Sequence, residues 1–268
     1  MTERRFRRAL VTGASSGIGA SFARLLADRG VATVLVARSA DRLGELATTL
    51  RTEHPGHPGG DVEVVPADLT TADGLERVGA RLRDGDRPID LLINNAGAGQ
   101  VGLFMDLDPD DAQTAVLLNV VAPLRLAHAA LPTLAAQGGA LLNVASIASF
   151  QPVPMMATYA ATKAFVASWS QALHEELRGT GVTVTALAPG FTRSGFVDAA
   201  DARDVASRIP GPFWDGPDEV ARAGLDGVAR GRALVVPSWL YRAGVTASSL
   251  TPTFVTRRLV GEVTRRLG

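Results

Sequence analysis

Cysteine is missing altogether from these 268 residues, so the chain can form no disulfide, no thiolate metal site and no cysteine nucleophile. Net charge is missing too. The 27 acidic residues balance 27 basic ones, which argues against a nucleic-acid binder working through bulk charge. No run approaches the roughly 20 apolar residues that span a bilayer. The apolar run behind the basic N-terminus lasts only from Ala9 to Val11, too short for a signal-peptide core. The expectation is a cytoplasmic protein. Lysine is almost absent: of 27 Lys plus Arg, only Lys163 is a lysine, and tyrosine is nearly as scarce with two. The two histidines between Thr52 and Gly60 sit in a Gly/Pro loop that needs no metal, and no metal site is expected. What is present is 46% hydrophobic and 20% charged residues, the make-up of a globular protein with a substantial core.

The scarce residues stand together, in the stretch from Ser146 to Lys163. Tyr159 and Lys163 are spaced i, i+4, so a helix stacks them on one face. An ammonium beside a phenol favours the phenolate and lowers its pKa from a reference of about 10. A tyrosine tuned in this way exchanges protons near neutral pH as a general acid or base. Lysine serves where arginine would not, because it is a compact, tunable point charge. Taken alone, such a pair also reads as an ordinary helix-surface contact.

Along the chain, Arg8–Thr12 is a short apolar strand that runs into Gly13-Ala-Ser15-Ser16-Gly17-Ile18-Gly19 and then a helical pattern. Strand, glycine turn and helix present backbone N–H groups and a helix N-terminus to a pyrophosphate. Ala32–Ala37 is a second strand, with Arg38 at its tip. In dinucleotide folds an acid here holds the ribose 2′-hydroxyl of NAD, whereas arginine pairs with the 2′-phosphate of NADP. Arg38 therefore favours NADP(H) over NAD(H). Strands at Val62–Pro66, Ile89–Ile93, Gly139–Val144 and Leu234–Pro237 alternate with helices near 40–51, 71–83 and 109–137, the last interrupted near Pro123. That rhythm predicts an α/β fold, a Rossmann-type doubly wound parallel sheet in a single domain over residues 1–268. Gly13, Asn94 and Ser146 then fall at strand ends on one rim, where open α/β sheets bind ligands.

With these residues assembled, the chain resembles the short-chain dehydrogenase/reductase family in its single-domain branch, over roughly residues 8–195. Thr12-Gly13-Ala-Ser-Ser-Gly17-Ile-Gly19 matches the family's cofactor turn. Asp68-Leu69 matches its adenine contact, and Asn94-Asn95-Ala96-Gly97 the motif that supports the sheet. Asn119, Ser146, Tyr159 and Lys163 fall on the catalytic tetrad, and Pro189-Gly190 on the turn beside the nicotinamide. The resemblance implies that Tyr159 exchanges a proton with the carbonyl or alcohol oxygen while hydride moves to or from the nicotinamide. Lys163 would lower the phenol's pKa and bind the nicotinamide ribose, Ser146 would orient the substrate oxygen, and Asn119 would anchor a water in a proton relay. It also implies a homodimer or homotetramer acting on a small carbonyl or alcohol, with no metal and no nucleic acid.

After Pro189-Gly190 the chain reads Phe191-Thr192-Arg-Ser194-Gly-Phe196, and either Thr192 or Ser194 would make the carboxamide contact that the family gives to a threonine. Residues from about 191 to 215 resemble the family's substrate-covering segment. Phe191, Phe196, Phe213 and Trp214, with Phe150, Val153, Met155 and Met156, suggest an apolar pocket for a hydrophobic ketone or aldehyde, or else ordinary core. From 240 to 268 an arginine-studded amphipathic tail reads as a solvated helix on its own domain, with contact to a membrane surface or a neighbouring subunit as the alternatives. Two other functions stay open: an NAD-dependent alcohol dehydrogenase, and a protein that senses NADP(H) without turnover.

Overall fold

Strands β1 (Arg8–Thr12), β2 (Ala32–Ala37), β4 (Leu91–Asn94), β5 (Ala140–Val144) and β6 (Thr183–Leu187) are almost continuously apolar. Such runs suit strands covered on both faces, and nearly every residue in them is buried. β3 (Val62–Pro66) and β9 (Leu234–Val235) flank them in a computed structural model that describes residues 5–193, 207 and 209–250. The seven strands form one parallel sheet in the order β3-β2-β1-β4-β5-β6-β9. A second, two-residue pair joins β7 (Phe191–Thr192) to β8 (Trp214–Asp215).

Alternation along each strand supplies two cores. In β1, Ala9 and Val11 face one core with Phe22 and Leu26 of α1 (Gly17–Asp28), Leu43 and Leu50 of α2 (Ala40–Glu53) and Leu225 of α7 (Pro217–Ala229). Leu10 faces the other, with Val78 of α3 (Ala72–Leu82), Leu126 and Leu134 of α5 (Ala122–Gln137) and, at its margin, Trp169 of α6 (Ala157–Glu176). The doubly wound architecture expected from the sequence is the one observed.

Several boundaries differ from those expected. The fourth strand begins at Leu91, not Ile89, because the Asp90 carboxylate takes the backbone N–H groups of Arg7 and Arg8, each at 2.9 Å. The fifth and ninth strands are also trimmed, to Ala140–Val144 and Leu234–Val235. The long helical region is α4 (Pro109–Val116), a π-turn over Leu117–Val121, and then α5. Pro123 has no N–H, so the Asn119 carbonyl four residues earlier loses its α-helical donor. The chain widens just before it, with Ala122 N reaching Leu117 O. Pro109–Gln137 is long and apolar enough by composition to cross a membrane, although no single uninterrupted run in it is. In this fold Leu126, Ala130 and Leu134 of that region pack into the second core. The last helix, α8, covers Trp239–Leu250. Ser194, Phe196 and the tail beyond Leu250 lie outside the described residues.

The strand order turns back between β1, which neighbours β2, and β4, which neighbours β5. The carboxyl ends on either side of that point form the rim on which the proposed site residues stand.

Candidate active site

The turn after β1 is fixed by the end of β4. Thr12 Oγ1 accepts the N–H groups of Asn95 and Ala96, both at 3.0 Å, and donates to Ile93 O at 3.3 Å. The Asn95 amide donates to the carbonyls of Thr12 (2.9 Å) and Gly13 (3.3 Å). Gly13 takes φ +67°, and a Cβ on it would lie 2.8 Å from Asn95 Nδ2. A Cβ on Gly19 would overlap the Gly13 carbonyl oxygen. These glycines let α1 and its turn close on each other without a side chain between them. Ser16, at the N-cap of α1, makes no side-chain capping bond, and the first turn holds no acid. The N–H groups at this end suit an anion, with no carboxylate on the first turn to repel it. Asn95, expected to contact the cofactor, spends its amide on the turn itself.

At the neighbouring strand ends, Arg38 is exposed just past β2, and Ala67 N pairs with Ala37 O at 3.0 Å. Asp68 Oδ1 accepts from Thr70 N (2.9 Å) and Thr70 Oγ1 (2.7 Å). Those hydrogen bonds, and to a lesser degree the Arg38 charge, hold its carboxyl below the ordinary value. Leu69 beside it is buried.

At the end of β5, Ser146 opens the 3-10 turn Ile147–Phe150, and its Oγ accepts from Ala148 N at 3.1 Å. One turn into α6, the Tyr159 hydroxyl shares a hydrogen bond with Ser146. Lys163 Nζ donates to Val144 O at 2.8 Å and lies 5.8 Å from the centre of the Tyr159 ring. Ser149 Oγ donates to Lys163 O at 2.8 Å. Three of the four tetrad positions therefore meet around one strand end.

Their electrostatics correct one expectation. Burial pushes the Tyr159 phenol up to about 12, and the Ser146 hydrogen bond offsets this only in part. Burial also pulls Lys163 down to about 8. The ammonium was expected to depress the phenol, but desolvation dominates at both groups, because each loses more solvent than it gains from its neighbour.

Asn119 uses its side chain within the protein. Its Oδ1 accepts from Ala98 N (2.9 Å), while Nδ2 donates to Ala98 O (2.7 Å) and Thr162 Oγ1 (3.0 Å). Thr162 Oγ1 in turn donates to Tyr159 O at 2.8 Å. The side chain clamps the loop after β4 onto α6. What Pro123 leaves without an α-helical donor is the Asn119 backbone carbonyl. Gly97 faces this clamp: a Cβ on it would come within 3.1 Å of Asn119 Oδ1 and 3.3 Å of Lys163 Nζ.

Beside β5, Pro189 O accepts from Ile147 N at 2.9 Å, which brings the Pro189-Gly190 turn next to Ser146. Thr192 is buried and donates to Gly190 O at 3.2 Å, within the turn. Around this rim Phe150, Val153, Met155, Met156 and Trp214 are half-buried, and Phe191 and Phe213 are exposed. Met155 holds φ +63°, rare for a side chain of its size, and its carbonyl accepts from Gly102 N at 2.9 Å. That bond ties α6's approach to a loop carrying Leu103, Phe104 (68% exposed) and Met105 (85% exposed). Among the described residues, no group of three or more His, Asp or Glu could hold a metal ion.

Sequence reasoning missed a buried polar chain beneath the site. Asn94 Nδ2 donates to Asn143 Oδ1 (2.9 Å), Asn143 Nδ2 to Ser170 Oγ (2.9 Å), and Ser170 Oγ to Val166 O (2.6 Å). An asparagine in the middle of the apolar run of β5 was the available signal. It also missed Tyr241 of α8, which local pattern could not connect to the site.

A family model described as short chain dehydrogenase matches residues 7–204. An uncharacterized oxidoreductase of Staphylococcus epidermidis is 34% identical over 194 residues, covering 72% of this chain and 81% of the relative. Among solved structures, a short-chain dehydrogenase from Sphingobium yanoikuyae in complex with NADPH superposes with a TM-score of 0.80 at 38% identity, over 91% of this chain and 93% of the other. A bulky-bulky ketone specific alcohol dehydrogenase from Comamonas testosteroni superposes with a TM-score of 0.76 at 36% identity, over 94% and 96%.

Proposed function

Because this chain belongs to the short-chain dehydrogenase family and is an oxidoreductase of that kind, we propose that it interconverts a ketone or aldehyde and an alcohol with NADP(H), on a substrate with an apolar body. The observation that carries this reading is the hydrogen bond between Ser146 and Tyr159 at the end of β5, with Lys163 one turn below. The residues present fit the nucleotide. The α1 N-terminus and its glycines leave room and N–H groups for a pyrophosphate, and exposed Arg38, just past β2, suits a 2′-phosphate. NADPH, when bound, supplies the hydride.

The chain's own residues supply position and protons. A phenol pushed to about 12 is fully protonated at neutral pH, so Tyr159 stands ready as the acid that hands its proton to a carbonyl oxygen. Ser146, bonded to that phenol, orients the same oxygen. Lys163, at about 8, keeps a mixed charge state near neutrality and can return a proton to Tyr159. The Asn119 carbonyl can hold the water through which Lys163 exchanges with solvent. The apolar rim from Phe104 to Phe213 favours a hydrophobic substrate. The relative specific for bulky-bulky ketones supports a ketone with large substituents on both sides.

Fluorescence titrations with NADPH and NADH, followed by consumption assays on aryl and alkyl ketones, test the proposal. Preference for NADPH with turnover of a bulky ketone is the expected result. Binding without turnover of any carbonyl would favour a sensor, and no nucleotide binding would overturn the reading.

A further inference from the structure

The chain's second tyrosine lies against the turn beside Ser146. Tyr241, on α8, has its ring on the Cα of Gly190, where a Cβ would overlap ring atoms Cε2, Cδ2 and Cζ. Gly190 is not among the glycines with positive φ. Its backbone conformation is open to other residues, so the ring is what demands glycine here. The Tyr241 hydroxyl donates to Phe213 O at 2.6 Å and accepts from Phe191 N at 3.4 Å. It thereby links the beginning of the proposed substrate-covering segment to a residue near its end. The Phe213 ring sits 6.4 Å from the Tyr241 ring, a tilted aromatic contact. The Gly190 N–H donates to the Asp215 carboxylate. Through Pro189 O and Ile147 N the same turn is bonded to the residue after Ser146, and α8 packs directly on the 3-10 turn that Ser146 opens.

We propose that Tyr241 is a positioning residue for the nicotinamide half of the cofactor, its ring and hydroxyl holding the Pro189–Thr192 turn in register with Ser146. The inference rests on the NADP(H) reading above. Phenylalanine would keep the ring contact and lose both hydrogen bonds. Alanine would lose everything and let Gly190 move.

The test separates the two halves of the nucleotide. The full-length protein is titrated with NADPH and with 2′,5′-ADP, which carries the adenine and 2′-phosphate but no nicotinamide. Tyr241→Ala is expected to weaken NADPH about tenfold, the scale of one lost packing and hydrogen-bonding anchor, and to change 2′,5′-ADP less than about twofold. Tyr241→Phe is expected to shift NADPH the same way by about threefold. Gly190→Ala should impair NADPH binding in the native background but add less than about twofold on top of Tyr241→Ala, because the ring it would strike is gone. Equal weakening of both ligands would make Tyr241 a general stability residue and overturn the inference, as would unchanged NADPH binding or additive Gly190 and Tyr241 effects. Native protein that binds neither ligand would reject the cofactor reading itself, a result visible without any variant.

Discussion

Between β1 and β4 the rim is held by polar bonds from side chain to main chain, Thr12 and Asn95 reaching the backbone at distances from 2.9 to 3.3 Å. Between β6 and α8 it is held largely by rings: Phe191 stands 5.9 Å from Trp214, Phe213 lies against Tyr241, and Tyr241 covers Gly190. Directional bonds to backbone permit one geometry, which suits a nucleotide whose shape never varies. Ring contacts are broad and tolerate small shifts, which would suit a wall facing the apolar substrate proposed above. Ser146, Tyr159 and Lys163 stand where the two meet, just past β5 and on α6.

Tyr159→Phe strikes that junction and should give the largest effect. We expect kcat to fall about a thousandfold, the worth of a positioned proton donor, while the Kd for NADPH stays within about twofold. Turnover kinetics and a nucleotide titration on one preparation check both halves. Arg38→Asp tests the polar side, and should swing the NADPH/NADH affinity ratio about a hundredfold toward NADH, the scale of lost charge-assisted bonds plus repulsion of a phosphate. An unchanged ratio would move the 2′-phosphate elsewhere.

Lys163→Met probes the junction through stability. Burial pulls Lys163 down to about 8 in the folded chain, from an ordinary value of 10.5. Between those values the unfolded chain holds a proton that the folded one has lost, so stability rises with pH across that window. The native protein should gain about 2 kcal/mol between roughly pH 8 and 9.5, a gain that the methionine variant lacks. Urea melts at the two pH values compare them, and Tyr159 opposes the trend only above its ordinary value of 10.0. The smallest effect belongs to the tolerant side. Phe104→Ser should raise the KM for an apolar ketone by about two- to threefold, from partial loss of apolar contact, without touching nucleotide affinity.

The fold was legible because strands buried on both faces must be apolar runs, and helices between them must show the helical period. The rim was legible for a related reason, since residues such as Ser146 follow closely on strands that are easy to locate. What sequence could not supply were balances and distant meetings. Whether charge or burial dominates at Tyr159 depends on how much protein surrounds it, which no spacing encodes. Asn119 reads the same whether its amide clamps Ala98 or waits for water. Tyr241 meets Gly190 only because α8 returns to the end of β6, and nothing near Tyr241 in the chain records that return.

The parallel order of the sheet also gives the molecule a chronology. A chain emerging from the ribosome at about 5–20 residues per second offers its nucleotide-side strands early, and β1, β2 and β3 can pair as neighbours as soon as they are out. β9, which completes the far edge beside β6, and the ring that covers Gly190 emerge only after all of these. The nucleotide cradle can thus take shape while the turn beside Ser146 is still unbraced. The turn that Tyr241 braces is therefore finished after the nucleotide side.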